Sequence, residues 1–351
     1  MSLRAVSLFL LSIFAATSMA QEASRKIDVA RLGPQVGQAV PDFNLQDAEG
    51  KWWTRDSIMG PQGAMLVFSR SADWCPYCKT QIIELQSRLP ELKAKGLGLV
   101  VITYDSPAVL ADFRTRRSIT FPLLSDPGSQ TIKAFGILNT TVERKSTNFG
   151  IPFPGTFIVN RAGVVTARFF EEAYQERTTV SNILLKLGGG RPGTNAQRIA
   201  TDHLDAITYA TDDIVAPGSL FSLVIDIRPR QGMHVYAPGA ASYRVVALKL
   251  DPDPLLMPRS IEYPPHEIYD FKPLDERVPV FQKPFRLIQE LSIATSREAR
   301  AALAASSTMT IRGTLEYQAC DDKICYLPNS VPVTYTISVK SLDTERANIA
   351  R

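Results

Sequence analysis

The first half of the chain alternates between short apolar runs and longer segments whose apolar residues recur at helical spacing. The apolar runs predict buried β-strands at residues 64–68, 98–104, 156–159 and 164–169. The longer segments predict helices at residues 80–95, 107–117 and 178–187. Strands that alternate with helices are typical of an α/β fold, in which helices cover the faces of the sheet.

The second half changes to an alternation of single apolar and polar residues, which is the period of a strand with one buried face. Three segments have this pattern: residues 221–227, 309–317 and 331–339. Prolines concentrate between residues 252 and 284, where we expect connections, and residues 295–306 predict one helix. The second half therefore favours an antiparallel, all-β sandwich.

A glycine-rich stretch separates the two halves. Residues 188–194 read Gly-Gly-Gly-Arg-Pro-Gly-Thr, a sequence that holds regular structure poorly. The chain has 351 residues, enough for two domains. We predict an α/β domain at 30–187, a linker at 188–197 that lets the domains dock and separate, an all-β domain at 198–341, and a frayed polar tail at 342–351.

Composition excludes several classes of protein. Hydrophobic residues make up 45% of the chain and charged residues 21%, which excludes a wholly disordered protein. The formal net charge is +4, from 39 Lys and Arg against 35 Asp and Glu, and this is too weak to indicate a nucleic-acid partner. Four cysteines are too few for a disulfide-dense scaffold, so their positions matter more than their number.

The N-terminus has the pattern of a secretory signal peptide. Arg4 precedes an apolar run at residues 5–16, and Ser18 and Ala20 are small residues at the cleavage positions. The alternative is a membrane anchor, but this run is shorter than the roughly 20 residues that span a bilayer. We expect residues 1–20 to be removed after Ala20, leaving a periplasmic or secreted protein with no stable membrane insertion. Disulfides persist in those compartments.

A Cys-Pro-Tyr-Cys motif joins the first predicted strand to the next predicted helix. Cys75 and Cys78 lie three residues apart, a spacing that a disulfide can bridge at the start of a helix. The helix N-terminus favours a thiolate. We predict that Cys75 is the exposed nucleophile and Cys78 the resolving thiol. Trp74 is expected to be an exposed aromatic contact surface, and Pro76 and Tyr77 are expected to contact the substrate.

Two other interpretations of this motif are a structural disulfide and half of a zinc site. A structural disulfide that closes so short a loop would constrain little chain entropy. A zinc site would need Cys320 and Cys325 from the other domain, whereas ligand pairs normally lie close in sequence. His203, His234 and His266 have no metal-ligand spacing, so we predict no metal and no other cofactor.

Residues 38–187 resemble the thioredoxin superfamily, in its alkyl-hydroperoxide-reductase/thiol-specific-antioxidant (AhpC/TSA) and TlpA-like branches. The segments that carry the resemblance are Gly-Gln-Ala-Val-Pro-Asp-Phe at 37–43, Leu-Val-Phe at 66–68, Asp-Trp-Cys-Pro-Tyr-Cys at 73–78, and Pro-Gly-Thr-Phe-Ile-Val-Asn at 154–160. The resemblance implies a thioredoxin fold and redox activity of Cys75 and Cys78.

The same resemblance implies that Pro154 is cis and lies against the cysteine motif. A cis bond would expose the backbone of Phe153 for β-like pairing with an extended substrate. A trans turn proline is the alternative. Peroxidases of this superfamily carry a Thr three residues before the peroxidatic Cys, whereas Ala72 stands three residues before Cys75. This difference favours dithiol exchange over peroxidase chemistry.

A second cysteine pair flanks a four-residue loop near the end of the all-β half. Residues that flank a hairpin loop can face each other at a distance that a disulfide can bridge. The alternation places Cys320 in phase with Glu316 and Gln318, so its sulfur is expected to point outward. The chemistry of the residues leaves two interpretations open: an exchanging pair and a hairpin staple.

Residues 200–340 resemble the N-terminal periplasmic domain of the thiol:disulfide interchange protein DsbD. The matching stretches are Gly-Met-His-Val-Tyr at 232–236 and Tyr-Gln-Ala-Cys followed by Cys-Tyr-Leu-Pro at 317–328. The resemblance implies an immunoglobulin-like sandwich in which Cys320 and Cys325 are catalytic. It also implies partners that carry protein thiols or disulfides, among them a membrane electron-transfer protein of the DsbD type.

Together these features predict an exported thiol-disulfide oxidoreductase. We expect a thioredoxin fold followed by an immunoglobulin-like sandwich, with electrons relayed between the two cysteine pairs. One alternative is a thiol-dependent peroxidase with an antioxidant role. Another is a non-enzymatic binding or folding protein whose disulfides are structural.

Overall fold

The computed structural model describes residues 27–189, 195–271 and 275–349. The predicted signal peptide and most of the glycine-rich stretch lie outside these residues. No helix within the described ranges is long and apolar enough to cross a membrane.

The first domain contains an α/β sheet. Its strands are β1 Asn44–Asp47, β2 Trp52–Thr54, β3 Gly63–Phe68, β4 Leu97–Thr103, β5 Leu123–Ser125, β6 Gly155–Val159 and β7 Val165–Phe170. Its helices are α1 Pro76–Ser87, α2 Leu89–Ala94, α3 Pro107–Arg117, α4 Gln130–Ala134 and α5 Val180–Lys186. Two 3₁₀ turns lie at Val29–Arg31 and Asp56–Ile58, and a short strand, β8 Arg177–Thr178, precedes α5.

The sheet has the order β2-β1-β5-β4-β3-β6-β7. Strands β3, β4 and β5 run parallel, and β6 and β7 run antiparallel to their neighbours. Every residue of β3 is buried, because alternate side chains enter separate apolar clusters on the two faces of the sheet: Met65 and Val67 on one, Leu66 and Phe68 on the other. The predicted α/β fold of this part of the chain is confirmed, and the bounds of the domain stay a prediction.

The helix after the cysteine motif differs from the prediction of one helix at residues 80–95. Helix α1 begins at Pro76 and ends at Ser87, and α2 starts at Leu89. Proline fits the first turn of a helix because it has no N–H to donate there. Pro76 and Pro90 both occupy such positions, and Pro90 therefore marks a second helix start.

The second domain is strand-rich. Its strands are β9 Gln197–Ala200, β10 Leu204–Ala210, β11 Ile214–Val215, β12 Ser219–Pro229, β13 His234–Tyr236, β14 Ala247–Leu250, β15 Leu256–Glu262, β16 Glu267–Phe271, β17 Glu276–Phe281, β18 Phe285–Ile293, β19 Thr308–Tyr317, β20 Ala319–Cys320 and β21 Asn329–Val339. Its helix is α6 Arg297–Ala304.

These strands form three sheets, ordered β15-β18-β12-β10-β9, β11-β21-β19-β14 and β16-β17-β13-β20. The first two sheets enclose one large apolar cluster, which is compatible with the predicted β-sandwich. The immunoglobulin-like topology stays a prediction. The proline-rich region holds three strands where connections were expected, because prolines such as Pro258 and Pro279 are accommodated within β15 and β17.

The two domains share backbone and side-chain hydrogen bonds. Strand β8 of the first domain pairs in parallel with β12 of the second, opposite Ser219 and Leu220. Asn182 of α5 accepts a hydrogen bond from Ser222 Oγ at 2.7 Å and donates one to Glu290 Oε1 at 2.8 Å. The domains are therefore docked in this structure.

Candidate active site

The cysteine motif lies at the carboxyl end of the central strand β3, where the chain turns into α1. Cys75 is the N-cap of α1, and its Sγ accepts a hydrogen bond from the Cys78 backbone N–H at 3.3 Å. Cys75 and Cys78 form a disulfide, with their Cα atoms 5.3 Å apart. In the reduced state the same N–H and the positive end of the helix would favour a thiolate at Cys75.

A buried carboxylate holds the loop that leads to Cys75. Asp105 follows β4 and accepts hydrogen bonds from Ser71 Oγ at 2.9 Å and from the Ala72 backbone N–H at 2.6 Å. Ser71 Oγ in turn accepts from the backbone N–H groups of Asp73 and Trp74. Burial raises the pKa of Asp105 to about 6. This carboxylate fixes the loop and thereby the position of the N-cap.

Neither sulfur of the motif is exposed. Cys75 is 1% exposed and Cys78 is fully buried, so the prediction of an exposed Cys75 is wrong. The physical reason lies at the other end of the chain, because Leu342 packs against the cluster of Cys75, Tyr77 and Cys78. The position of Cys75 at a helix N-terminus does not predict a contact with Leu342, which is distant in sequence.

Residues 340–347, named here the C-terminal strap, cross the first domain. Asp343 pairs with Arg117 at 2.6 Å and with Lys79 at 3.5 Å. Arg346 forms two hydrogen bonds to the carboxylate of Asp73, at 2.9 and 2.7 Å. The prediction of a frayed tail is therefore wrong for the part of residues 342–351 that the structure describes, since ion pairs fix these polar residues.

Arg177 is a site residue that the sequence analysis missed. Its Nη2 donates to Cys78 Sγ at 3.2 Å, and its Nη1 donates to the carbonyls of Tyr174 and Glu176 at 2.6 Å each. Burial lowers the pKa of Arg177 to about 9, with the positive charge of Arg70 acting in the same direction. The guanidinium is still cationic at neutral pH, so it would stabilise a Cys78 thiolate.

Trp74 and Tyr77 are engaged within the protein. Trp74 is half-buried, donates from Nε1 to the hydroxyl of Tyr104 at 2.8 Å, and lies under Arg70. It is therefore not the exposed surface that was predicted. Tyr77 lies against Gly218 of the second domain, where a Cβ atom would stand 3.2 Å from Tyr77 Cδ1.

The predicted cis proline is also wrong. The described residues contain no cis peptide bond, so Pro154 is trans. The Phe153 N–H donates to the carbonyl of Ile137 at 2.7 Å, and Leu138 and Pro152 form an isolated bridge. The chain thus pairs this segment with its own residues 137–139, which occupies the donor that a substrate strand would need. A substrate role of Pro76 stays a prediction.

The second cysteine pair has one buried and one exposed residue. Cys320 and Cys325 form a disulfide, with Cys320 1% exposed and Cys325 exposed. The prediction that Cys320 points outward is wrong, because β19 ends at Tyr317 and the chain then enters a different sheet. There Cys320 pairs with His234, and the strand alternation is interrupted.

Aromatic residues surround the second disulfide. The hydroxyl of Tyr236 lies 2.8 Å from Cys320 Sγ and 3.3 Å from Cys325 Sγ. Its ring stacks on Tyr243 with centroids 3.9 Å apart, and burial raises its pKa, which keeps the phenol protonated. Tyr236 can therefore donate a hydrogen bond to either sulfur. The sequence placed Tyr236 in a matching stretch but gave it no role.

The Cys75–Cys78 disulfide of the first domain lies near one end of the second domain, and the Cys320–Cys325 disulfide lies at the other end. Strand β12 begins beside Tyr77 and ends near β13, which pairs with Cys320 of β20. Strand β21 begins just after Cys325 and ends at the C-terminal strap. Each strand has 11 residues, and at about 3.3 Å per residue the disulfides are separated on the order of 30 Å.

Comparison with known proteins supports a thioredoxin-like fold for the first domain. The family model described as the AhpC/TSA family matches residues 36–168. The chain is 31% identical to alkyl hydroperoxide reductase E of Mycobacterium bovis and Mycobacterium tuberculosis, over 49% of this chain and 97% of that protein. It is 24% identical to the thiol-disulfide oxidoreductase ResA of Bacillus thuringiensis, over 41% of this chain and 74% of that protein.

A thiol peroxidase from Chromobacterium violaceum is 25% identical in structure-based alignment, covering 45% of this chain and 90% of that chain, with a TM-score of 0.38. The relatives are thiol peroxidases and thiol-disulfide oxidoreductases. Through its thioredoxin-like first domain, the chain belongs to the AhpC/TSA family of oxidoreductases.

Proposed function

We propose that the first domain catalyses dithiol–disulfide exchange with protein substrates through Cys75 and Cys78. The observation that carries this proposal is the Cys75–Cys78 disulfide at the start of α1, with Cys75 as the N-cap and Arg177 against the Cys78 sulfur. Two thiols that close a disulfide within one helical turn can return to that disulfide after one round of exchange.

The reaction starts from the reduced pair. The Cys75 thiolate attacks a substrate disulfide, whose S–S bond breaks as a mixed disulfide with Cys75 forms. The Cys78 thiolate then attacks the Cys75 sulfur and releases the second substrate thiol. Two electrons and two protons pass to the substrate, and Cys75–Cys78 ends as a disulfide. A dithiol donor protein must reduce it again.

Insulin reduction with dithiothreitol as donor tests this proposal. The full chain should accelerate the reduction, and Cys75→Ser or Cys78→Ser should return it to the uncatalysed rate. A Cys320→Ser/Cys325→Ser variant is the matched control and should keep the acceleration, because dithiothreitol replaces any natural donor. Full acceleration in Cys75→Ser would contradict the proposal.

A second proposal concerns Cys320 and Cys325. We infer that this pair exchanges with a separate thiol protein, of which a membrane electron-transfer protein of the DsbD type is one example. The exposure of Cys325 supports an external partner. The internal relay predicted from the sequence would need the domains to separate or two copies to meet, because the disulfides are about 30 Å apart in the docked chain.

Thiol peroxidase activity is a second candidate function. It is favoured by the relatives named alkyl hydroperoxide reductase E and by the Arg177 cation, which would activate a Cys78 thiolate toward peroxide. Hydrogen peroxide consumption with dithiothreitol distinguishes the two. Our proposal expects slow peroxide turnover and fast insulin reduction, and the reverse would favour the peroxidase.

Export is a proposal that rests on the N-terminal sequence pattern. Expression with residues 1–20 intact, followed by sequencing of the mature N-terminus, tests it. A mature chain that begins at Gln21 in the periplasm or the medium would support export. An uncleaved chain in the cytoplasm would contradict it.

A further inference from the structure

The C-terminal strap makes polar and apolar contacts along one groove of the first domain. Leu342 packs on the disulfide cluster, and the Asp343 backbone N–H donates to Thr80 Oγ1 at 3.1 Å. At the far end, the Ala347 N–H donates to the carboxylate of Asp73 at 2.7 Å. The strap has no helix or strand of its own, so these contacts hold it in an extended path.

The groove is matched to the charges of the strap. Lys79, the residue after Cys78, is fully buried, and its ammonium contacts the Asp343 carboxylate and the Glu345 carbonyl. Arg117 contacts the carboxylates of Asp343 and Glu345. A buried ammonium is costly without an anionic partner. An occupant that covers Lys79 in this way is therefore favoured when it carries an acidic residue one position after the apolar residue on the disulfide.

The strap also contributes to the burial of the sulfurs through Leu342. Disulfide exchange requires a thiolate to reach a sulfur atom, and access is one of the factors that set its rate. With the strap seated, Cys75 is 1% exposed and Cys78 is fully buried. A protein substrate and the strap cannot both lie over Cys75.

We propose that this groove is the docking site for an extended segment of a protein substrate with an apolar residue followed by acidic residues, and that the strap is an internal occupant that the substrate displaces. This inference rests on the proposed exchange activity of Cys75 and Cys78. The strap supplies the pattern itself, Leu342-Asp343-Thr344-Glu345.

The rate at which dithiothreitol reduces the Cys75–Cys78 disulfide in the full chain tests whether the strap covers this disulfide. Asp343→Lys places a cation against Lys79 and Arg117 and should speed this reduction about tenfold, as expected for the loss of a charge-assisted hydrogen bond. Arg346→Ala removes only the ion pair of the strap with Asp73 and should accelerate the reduction less. The Cys320–Cys325 disulfide of the same molecules should keep its rate. Glu143→Lys, on an exposed loop, is the matched charge control.

A peptide competition tests the groove. The peptide of residues 338–349 should inhibit insulin reduction by the Asp343→Lys chain, and the same peptide with Lys in place of Asp343 should not. Equal dithiothreitol rates in all variants, or no inhibition by the native peptide, would overturn the proposal. Faster dithiothreitol reduction without insulin reduction in any form would contradict the exchange function while supporting the cover.

Discussion

The two disulfides of this chain differ in their neighbouring residues and in their exposure. Cys75–Cys78 lies at a helix start, beside a buried arginine and beneath the C-terminal strap. Cys320–Cys325 lies on a hairpin, beside a tyrosine hydroxyl and with one exposed cysteine. The first pair has the electrostatics of a reactive dithiol but limited access, whereas the second has one exposed cysteine and a tyrosine hydroxyl in place of the buried arginine. Access and activation are therefore separate properties of these sites.

The largest expected effect on the first disulfide site comes from replacing Asp105, the carboxylate that holds the loop before Cys75. Asp105→Ala should lower the free energy of unfolding by about 3 kcal/mol, because it leaves the buried Ser71 hydroxyl and Ala72 N–H without an acceptor. Urea unfolding measures this. Asp126→Ala removes another buried carboxylate that caps α4, and should destabilise the domain without slowing exchange at Cys75–Cys78. If Asp105→Ala and Asp126→Ala exchange disulfides at equal rates, Asp105 does not position the Cys75–Cys78 site.

The stability of the chain with its two domains docked should depend on pH. Burial and the charge of Asp212 raise the pKa of Glu84 from its ordinary 4.5 to about 7, so the folded chain holds a proton that the unfolded chain releases. Stability is then fully present below the unfolded pKa and falls as pH rises through the folded value. We expect a loss of about 2 kcal/mol between about pH 5 and about pH 8.

Glu84→Gln should flatten this pH dependence, because Gln still accepts from the Val180 N–H but does not titrate. Thermal unfolding across that pH range measures it. An unchanged slope in the variant would show that Glu84 does not carry the effect.

The activation of the first pair can be tested at Arg177. Arg177→Met should raise the pKa of the Cys78 thiol by about one to three and slow its attack on the mixed disulfide about tenfold or more. The ultraviolet absorbance of the thiolate during a pH titration measures the pKa. Arg177→Lys keeps the positive charge and should retain part of the effect. A Cys78 pKa that is equal in all three chains would contradict this role.

The smallest expected effect is at the second pair. Tyr236→Phe removes the hydroxyl that can donate to both sulfurs and should slow reduction of Cys320–Cys325 a few-fold, since an ordinary hydrogen bond contributes a net of about 0.5–1.5 kcal/mol. Tyr263→Phe is the control, because it removes a hydroxyl of the same domain that donates to the Val246 carbonyl instead. Cys75–Cys78 should be unaffected in both variants.

Local sequence pattern predicted the first domain well. The strand at β3, the helix α3 and the hairpin of β6 and β7 lie within a residue or two of their expected positions, because buried apolar runs and helical spacing are properties of neighbouring residues. In the second domain, β12, β19 and β21 followed from alternation in the same way, whereas β10 and β18 were not predicted. The proline-rich region, predicted to hold connections, contains the three strands β15, β16 and β17.

What the sequence could not give is contact between distant residues. Arg177 follows Cys78 by 99 residues, and Leu342 lies beyond the whole second domain, so no local spacing relates either to the cysteine motif. The burial of Cys320 depends on a change of sheet after Tyr317, which alternation cannot anticipate. The position of the cysteines was therefore predictable, whereas their access was not.

The reduction potential of Cys75–Cys78 tests the central claim most directly. It would be measured against glutathione in the full chain that carries Cys320→Ser and Cys325→Ser, so that one pair alone reports. We predict a value between about −120 and about −270 mV, the range of proteins that exchange disulfides. A value below about −300 mV would mark a structural disulfide and contradict the assignment of this pair as the exchange site.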